Sequence, residues 1–164
     1  MRETFLTPNR RTYIALATGG SAVLLLAAFG FQHVGGLAPC AMCLWQRWPH
    51  AVAIAIGALG VVLPAAWVAL LGGAAMLTNA GIAVYHTGVE RDWWDGPASC
   101  SGGGGDLGAM EVADLLNPDA GGGIVMCDEV AWEMLGLSMA SWNGLACLAL
   151  AAIWFAAARM RATA

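Results

Sequence analysis

The chain has 164 residues, of which 59% are hydrophobic and only 11% are charged, and its formal net charge is −4. Soluble globular proteins carry roughly 25% charged residues, so this composition excludes an ordinary soluble domain and indicates a single membrane-embedded domain over residues 1–164. The acidic balance argues against nucleic acid as a partner.

Four apolar stretches are candidates to cross the bilayer, which takes about 20 residues of helix. They cover residues 12–32, 44–63, 65–86 and 140–158. All but the second lack Asp, Glu, Lys and Arg, whereas the second must include Arg47 to be long enough. The first exceeds the 7 to 15 residues of a signal-peptide core and is predicted to remain as an anchor. The pattern therefore predicts an all-α membrane protein, a bundle of four transmembrane helices.

The arginines indicate the orientation of this bundle. The chain has no lysine, and five of its seven arginines lie near the two ends, at positions 2, 10, 11, 159 and 161. The positive-inside rule places both termini in the cytoplasm. Two loops, about 33–43 and 87–139, then face outward, and the second contains ten of the eleven acidic residues. Within this long loop, residues 106–116 are compatible with a short interfacial helix and equally with a loop.

The five cysteines divide between the two outer loops and the last span. Cys40 and Cys43 lie in the first loop, Cys100 and Cys127 in the second, and Cys147 inside the fourth span, where it is expected to be a small apolar residue. The four outer cysteines face an oxidising compartment, where disulfides are expected.

The spacing Cys40-x-x-Cys43 is compatible with several chemistries. A c-type haem is excluded because Leu44, not histidine, follows the second cysteine. Zinc held by four thiolates is disfavoured, because such sites normally use two close cysteine pairs and the other two outer cysteines are 27 residues apart. Purely structural disulfides remain open, although a bridge across so short a loop adds little stability. A redox-active dithiol is the remaining alternative.

Arg47 favours the redox interpretation. It follows Cys43 by four residues, one helical turn deeper on the same face. A helix N-terminus and a nearby cation both lower a thiol pKa. An arginine inside the membrane boundary either extends to the headgroups or binds a ligand. A quinone would suit such a site, because its oxygen gains negative charge on reduction.

The stretch FQHVGGLAPCAMCLWQR, residues 31–47, resembles the disulfide-bond-formation protein B family of bacterial inner membranes. YHTGV at 85–89, the loop cysteine Cys100 and C-x-x-x-x-W-x-x-L-G-L-x-M-x-x-W at 127–142 extend the resemblance in order over nearly the whole chain.

This resemblance implies a thiol:quinone oxidoreductase that reoxidises a periplasmic thioredoxin-fold dithiol oxidase of the DsbA type. It implies disulfides Cys40–Cys43 and Cys100–Cys127, with the partner attacking Cys100. Freed Cys127 would attack Cys40, and the released Cys43 thiolate would pass electrons to ubiquinone or menaquinone beside Arg47. By the same resemblance, His86 and His33 border the quinone, although both also fit interfacial histidines. No metal ligand is implied.

Two positions depart from the family pattern. Gln46 stands where many relatives have an acid before the arginine, and Pro49 after Trp48 predicts that the second helix kinks or restarts there. The depth of Arg47 in the membrane depends on this point.

Three other functions are compatible with parts of the sequence. One is a zinc-binding membrane protein with four free outer thiols. Another is a membrane protein without redox activity that is cross-linked by two structural disulfides. The third is a quinone-linked thiol reductase of the vitamin K epoxide reductase type, which also uses C-x-x-C on a four-helix core. The order of the motifs and the acidic outer loop favour the oxidase.

Overall fold

The computed structural model of the chain describes residues 9–97, 100 and 126–160. These residues form four α helices, listed here in chain order: α1, Arg10–His33; α2, Ala41–Val62; α3, Ala66–Glu90; and α4, Met139–Arg159. The interfacial helix considered for residues 106–116 lies outside the described part of the chain.

Three of these helices, α1, α3 and α4, are long and apolar enough to cross a membrane, as judged by length and composition. The prediction of a helical membrane protein is therefore confirmed. Helix α2 does not meet the same criterion, and its first half contains Gln46, Arg47 and His50. The count of four spans stays a prediction.

Helix α2 begins at the C-x-x-C motif. Cys40 is its N-cap, with an extended backbone, and the Cys40 sulfur accepts a hydrogen bond from the Cys43 backbone N–H at 3.2 Å. Of the kink or restart predicted at Pro49, the restart is wrong, because α2 runs through this proline without a break, and the kink stays a prediction. A proline removes one backbone hydrogen bond, but the bonds on either side keep the helix continuous here. Arg47 therefore lies on the same helix as Cys43, one turn further along.

The helices form a closed four-helix bundle, in which each packs against its neighbour in the chain and α1 packs against α4. Small residues allow the helices to approach one another closely. A Cβ placed on Gly72 of α3 would lie 2.5 Å from the ring of Trp154 on α4, so only glycine fits there. Such small-residue contacts are typical of helix packing in membranes, where hydrophobic burial does not drive association.

Arg10 holds together the end of the bundle that is remote from Cys40. Its buried guanidinium donates hydrogen bonds to the carbonyl oxygens of Ala157 at 3.1 Å, of Pro64 at 2.8 Å and of Met160. These carbonyls belong to the C-terminal end of α4 and to the α2–α3 connection, where carbonyls lack the full set of i+4 helical donors; Ala157 also accepts from the Met160 backbone N–H at 3.2 Å. One arginine thus joins three segments.

The structure adds a feature that the all-α prediction missed. Strands β1, Glu133–Met134, and β2, Leu137–Ser138, pair antiparallel just before α4. Leu135 and Gly136 form the two-residue turn with φ of 55° and 76°, the left-handed pair that such hairpins require. Strands of two residues are too short to show a period of two in the sequence. Arg91 ties the hairpin to the end of α3 by donating to the Gly136 carbonyl at 2.8 Å.

Candidate functional site

The four outer cysteines lie in one buried cluster where the loops meet α2 and α3. Cys40, Cys100 and Cys127 pack together with Met42 and Val89, and Cys43 borders them. Cys100 and Cys127 are joined by a disulfide. Cys40 and Cys43 are two thiols with sulfurs 2.9 Å apart, so the Cys40–Cys43 bridge expected from the family resemblance is not closed in this structure.

The two thiols of the C-x-x-C differ in acidity. A hydrogen bond from the Cys40 thiol lowers the pKa of Cys43 to about 7, against the opposing effect of burial, and the Arg47 charge adds to the lowering. The same hydrogen bond, together with burial, raises the pKa of Cys40. Cys43 is therefore the more readily ionised thiol of the pair near neutral pH, and the thiolate is the reactive form of a cysteine.

His86 of α3 stands directly beside these thiols. Its side chain is buried, and its Nε2 lies 3.5 Å from the Cys40 sulfur. The carboxylate of Glu90, one turn further along α3, lies 3.9 Å from the same nitrogen. The structure thus brings His86 to the C-x-x-C rather than to the lipid interface.

A chain of buried polar side chains continues from His86 across the bundle. The Gln46 amide nitrogen lies 2.7 Å from His86 Nδ1, and the Gln46 oxygen accepts from the Asn143 amide at 2.7 Å. The Asn143 oxygen in turn lies 3.0 Å from Nε2 of His50. This network links α3, α2 and α4 at the level of the cysteines.

Sequence reasoning did not assign a site role to His50 or Asn143, and it treated Gln46 only as a departure from the family pattern. A signal was present, since polar side chains inside a membrane segment face the protein interior and are functional candidates. Gln46 and His50 are four residues apart on α2 and so share a face. Asn143 is the one side-chain amide in an uncharged apolar span, and it was the weaker signal.

A cavity of about 390 Å³ opens beside the thiols, between the helices and the segment that carries the hairpin. Its volume falls within the roughly 300 to 1,000 Å³ of small-molecule sites. Most of its wall is apolar, including Leu24, Phe31 and Trp132. The polar and thiol groups on the wall include Cys40, Cys43, Gln46, Arg47, His50, His86, Glu90, Glu129 and Asn143.

Arg47 reaches from α2 towards α1. Its guanidinium donates to the Gln32 side-chain oxygen at 2.6 Å, and its Cζ lies 4.9 Å from the centre of the Phe29 ring. The half-buried side chain lines the cavity and is held by α1 rather than left free to extend to the headgroups. By contrast, His33 is exposed, stacks on Phe29 with ring centres 6.2 Å apart, and does not line the cavity.

The remaining thiol, Cys147, is fully buried in the bundle core, as expected for a small apolar residue. Among the described residues, one group has metal-ligand geometry: the ligand atoms of Cys40, Cys43 and His86 all lie within 4.8 Å of one another. The four-thiolate zinc site considered from the sequence is not formed, because two of its sulfurs are bonded to each other.

Comparison with known proteins agrees with these features. The family model described as "Disulfide bond formation protein DsbB" matches residues 10–157. Disulfide bond formation protein B of Aromatoleum aromaticum is 36% identical and covers 93% of both chains. The Dechloromonas aromatica protein of the same name is 36% identical over 79% of this chain and 81% of its own. "Disulfide bond formation protein B 2" of Pseudomonas aeruginosa is 30% identical over 82% of each.

No solved structure matches the chain significantly. The family match covers α1, α2, α3 and all but the last two residues of α4, and its range includes the C-x-x-C, both loop cysteines, Arg47 and His86. The chain therefore belongs to the disulfide bond formation protein DsbB family.

Proposed function

We propose that the chain is an inner-membrane thiol:quinone oxidoreductase that reoxidises a periplasmic thioredoxin-fold dithiol oxidase. Membership of the family implies a disulfide-forming oxidoreductase of the membrane. One observation carries the finer assignment: both C-x-x-C thiols line the same cavity as Arg47, and they pack against the loop disulfide. A dithiol with a disulfide on one side and a ligand cavity on the other can pass electrons between the two.

The residues around the cavity fit a quinone, either ubiquinone or menaquinone. The apolar wall suits a ring with an isoprenoid tail, and the Arg47 guanidinium and the His86 imidazole supply polar groups at the thiol end. A quinone bound there would accept two electrons and two protons. Arg47 would stabilise the negative charge that develops on an oxygen, as preorganised donors do in other active sites.

The exchange steps follow from the chemistry of disulfides, which break by attack of a thiolate. A partner thiolate attacks Cys100 and forms a mixed disulfide, which releases the Cys127 thiolate. Cys127 attacks Cys40, and the Cys40–Cys43 bond breaks to release the Cys43 thiolate. The second partner thiol then resolves the mixed disulfide, leaving the partner oxidised and Cys100 free. Cys100 attacks Cys127 to restore the loop bridge, and Cys40 and Cys43 are left reduced.

The arrangement described above, with the loop bridge closed and two thiols in the C-x-x-C, is the one expected at the end of these steps. From it, the dithiol returns to a disulfide by releasing two electrons and two protons to the quinone. Cys43, with its pKa lowered to about 7, supplies the thiolate. His86, 3.5 Å from the Cys40 sulfur, is placed to handle the proton of the second thiol.

The topology that suits this function has four spans and both termini in the cytoplasm. Helix α2 has 22 residues and would extend about 33 Å at 1.5 Å per residue, the thickness of the hydrocarbon core. Arg10, Arg11 and Arg159 lie at one end of the bundle, and the four clustered cysteines lie at the other. By the positive-inside rule, the cysteine end faces the periplasm.

Quinone reduction by the purified, lipid-reconstituted chain tests the proposal. A reduced thioredoxin-fold oxidase from the same bacterium is supplied as the electron donor, and loss of the quinone absorbance is followed without oxygen. We expect multiple turnovers that stop in the Cys43→Ala variant, with the Cys147→Ala variant as the thiol control. Absence of quinone reduction while the wild-type chain still exchanges disulfides with the donor would contradict the quinone assignment.

A further inference from the structure

We propose that Cys40, Cys43 and His86 form a zinc site that exists only while the C-x-x-C is reduced. The proposal concerns a ligand other than the quinone, and zinc binding does not depend on the electron-transfer function proposed above. It rests on three converging donor atoms within 4.8 Å of one another, two of them soft sulfurs and one an imidazole nitrogen.

The distance between the Cys40 sulfur and the His86 ring nitrogen fits a tetrahedral ion. With zinc bonds of about 2.3 Å to sulfur and 2.0 to 2.1 Å to nitrogen, a tetrahedral centre separates sulfur and nitrogen by about 3.5 Å. The Cys40 sulfur and His86 Nε2 are 3.5 Å apart. The same geometry separates two sulfurs by about 3.8 Å. The observed 2.9 Å between the Cys40 and Cys43 sulfurs must therefore widen by about 0.9 Å when zinc binds.

The groups around the donor atoms suit a bound metal. Zinc-binding histidines normally hold their second ring nitrogen in a hydrogen bond, and the Gln46 amide lies 2.7 Å from Nδ1 of His86. When Nε2 binds zinc, Nδ1 carries the proton, and the Gln46 amide must present its oxygen to it. Asn143 is hydrogen-bonded to the other end of the Gln46 amide. Its own side-chain amide also has an NH2 group that donates and an oxygen that accepts, so it can rotate by half a turn and remain paired with Gln46.

The fourth zinc position would face the cavity, which both thiols and His86 line. Zinc sites with three protein ligands commonly keep such an open position for water or another small ligand. The Glu90 carboxylate, 3.9 Å from His86 Nε2, adds negative charge beside this position. The proposed site therefore has two thiolate ligands, one imidazole ligand and an open fourth position.

Redox state decides whether the site is present. Thiolates bind zinc, and binding to two thiols releases two protons. Closing the Cys40–Cys43 bond consumes both sulfurs as ligands, so the oxidised chain has only the imidazole left. A zinc ion on the reduced pair would also prevent it from returning to a disulfide, and this last consequence alone depends on the proposed function.

Metal binding without quinone tests the site. The full-length chain with Cys100→Ser and Cys127→Ser is used, because reduction of the loop bridge would otherwise add two thiols. After phosphine reduction in the absence of oxygen, we expect one zinc per chain and, with cadmium as a probe, a sulfur-to-metal charge-transfer band in the ultraviolet. The same sample, oxidised to close Cys40–Cys43, should bind neither ion.

Three variants in this background separate the site from adventitious thiol binding. Cys147→Ala should keep the full zinc content. Gln46→Leu should weaken zinc affinity about tenfold to hundredfold, the usual effect of losing an outer hydrogen bond. His86→Gln should weaken it further, with folding checked by size-exclusion elution. Equal affinity in His86→Gln and the parent, or equal uptake by reduced and oxidised samples, would overturn the site and leave the quinone assay unaffected.

Discussion

The side-chain amide of Gln46 lies 2.7 Å from Nδ1 of His86, so a residue of α2 orients the imidazole that stands beside Cys40. Both side chains are buried, and Asn143 holds the other end of the Gln46 amide. A buried ring nitrogen without a hydrogen-bond partner costs free energy of folding. The contact with Gln46 therefore restricts the orientation in which His86 faces the thiols.

Replacing Gln46 by Leu should slow quinone reduction. Leaving a buried polar group without its partner costs about 1 to 3 kcal/mol, which corresponds to roughly a fivefold to hundredfold effect. Gln46→Glu is the companion variant, because a carboxylate cannot donate to Nδ1 as the amide does and pairs with His86 only when Nδ1 carries the proton. Steady-state rates with a fixed donor provide the measurement. Equal rates in the Leu variant and the parent would show that the orientation of His86 does not matter.

Replacing Arg47 by Gln should raise the apparent KM for quinone or lower the rate, while a chemical oxidant still closes the bridges. Loss of a hydrogen bond to a charged group costs about 1.5 to 3 kcal/mol, roughly a tenfold to hundredfold effect. Arg47→Lys keeps the positive charge but removes the planar guanidinium group that contacts Gln32 and Phe29.

Gln32→Leu serves as the companion variant for Arg47, because it removes the 2.6 Å contact and leaves the guanidinium in place. Its effect should be smaller than that of Arg47→Gln. A normal rate and KM in Arg47→Gln would locate the quinone elsewhere.

Alkylation of Cys43 should reach half of its maximal rate near pH 7, the value to which its pKa is lowered. Because only the thiolate reacts, the rate rises with pH through this value. At pH 7 the thiolate fraction is about one half, against about three hundredths for an ordinary thiol with a pKa of about 8.5. Peptide mass spectrometry after brief iodoacetamide pulses gives the rate for Cys43 alone.

Cys40→Ala tests the cause of this acidity. The hydrogen bond from Cys40 is the largest contribution to the lowered pKa of Cys43, so its removal should shift the alkylation curve to higher pH. An unshifted curve would assign the effect to Arg47 and the helix N-terminus instead.

Cys127→Ala should trap a covalent complex between Cys100 and the oxidised partner. The free Cys100 thiolate attacks the partner's disulfide and releases one partner thiolate, and the mixed disulfide then lacks the Cys127 sulfur that would otherwise attack Cys100 to release the partner. Non-reducing electrophoresis detects the complex, and Cys100→Ala is the matched control. Equal trapping in both variants would show that Cys100 is not the sulfur that bonds to the partner.

Labelling of cysteine thiols from each side of the membrane tests the topology. With both termini in the cytoplasm, an impermeant thiol reagent applied from the periplasmic side after mild reduction should label Cys100. A cysteine placed at Pro64, in the α2–α3 connection, should be labelled only after the membrane is opened. The reverse pattern would refute four spans with cytoplasmic ends.

Much of this protein could be predicted from local sequence. Uncharged runs of about 20 residues predict helices α1, α3 and α4 because the bilayer selects for length and apolarity within each segment. The C-x-x-C and Arg47 are likewise local, since their spacing on one helix decides that Cys43 and Arg47 lie one turn apart.

Other features were decided by tertiary structure. Lipid is as apolar as the bundle core, so hydrophobic periodicity does not reveal which face of a membrane helix turns inward. The meeting of Gln46, His86 and Asn143 depends on the rotation of three helices that are distant in sequence. It is set by contacts such as that of Gly72 with Trp154, where shape rather than hydrophobicity selects the packing. The thiols proposed to be redox-active could thus be identified from the sequence, whereas the lowered pKa of Cys43 and the polar network around the thiols required the assembled bundle.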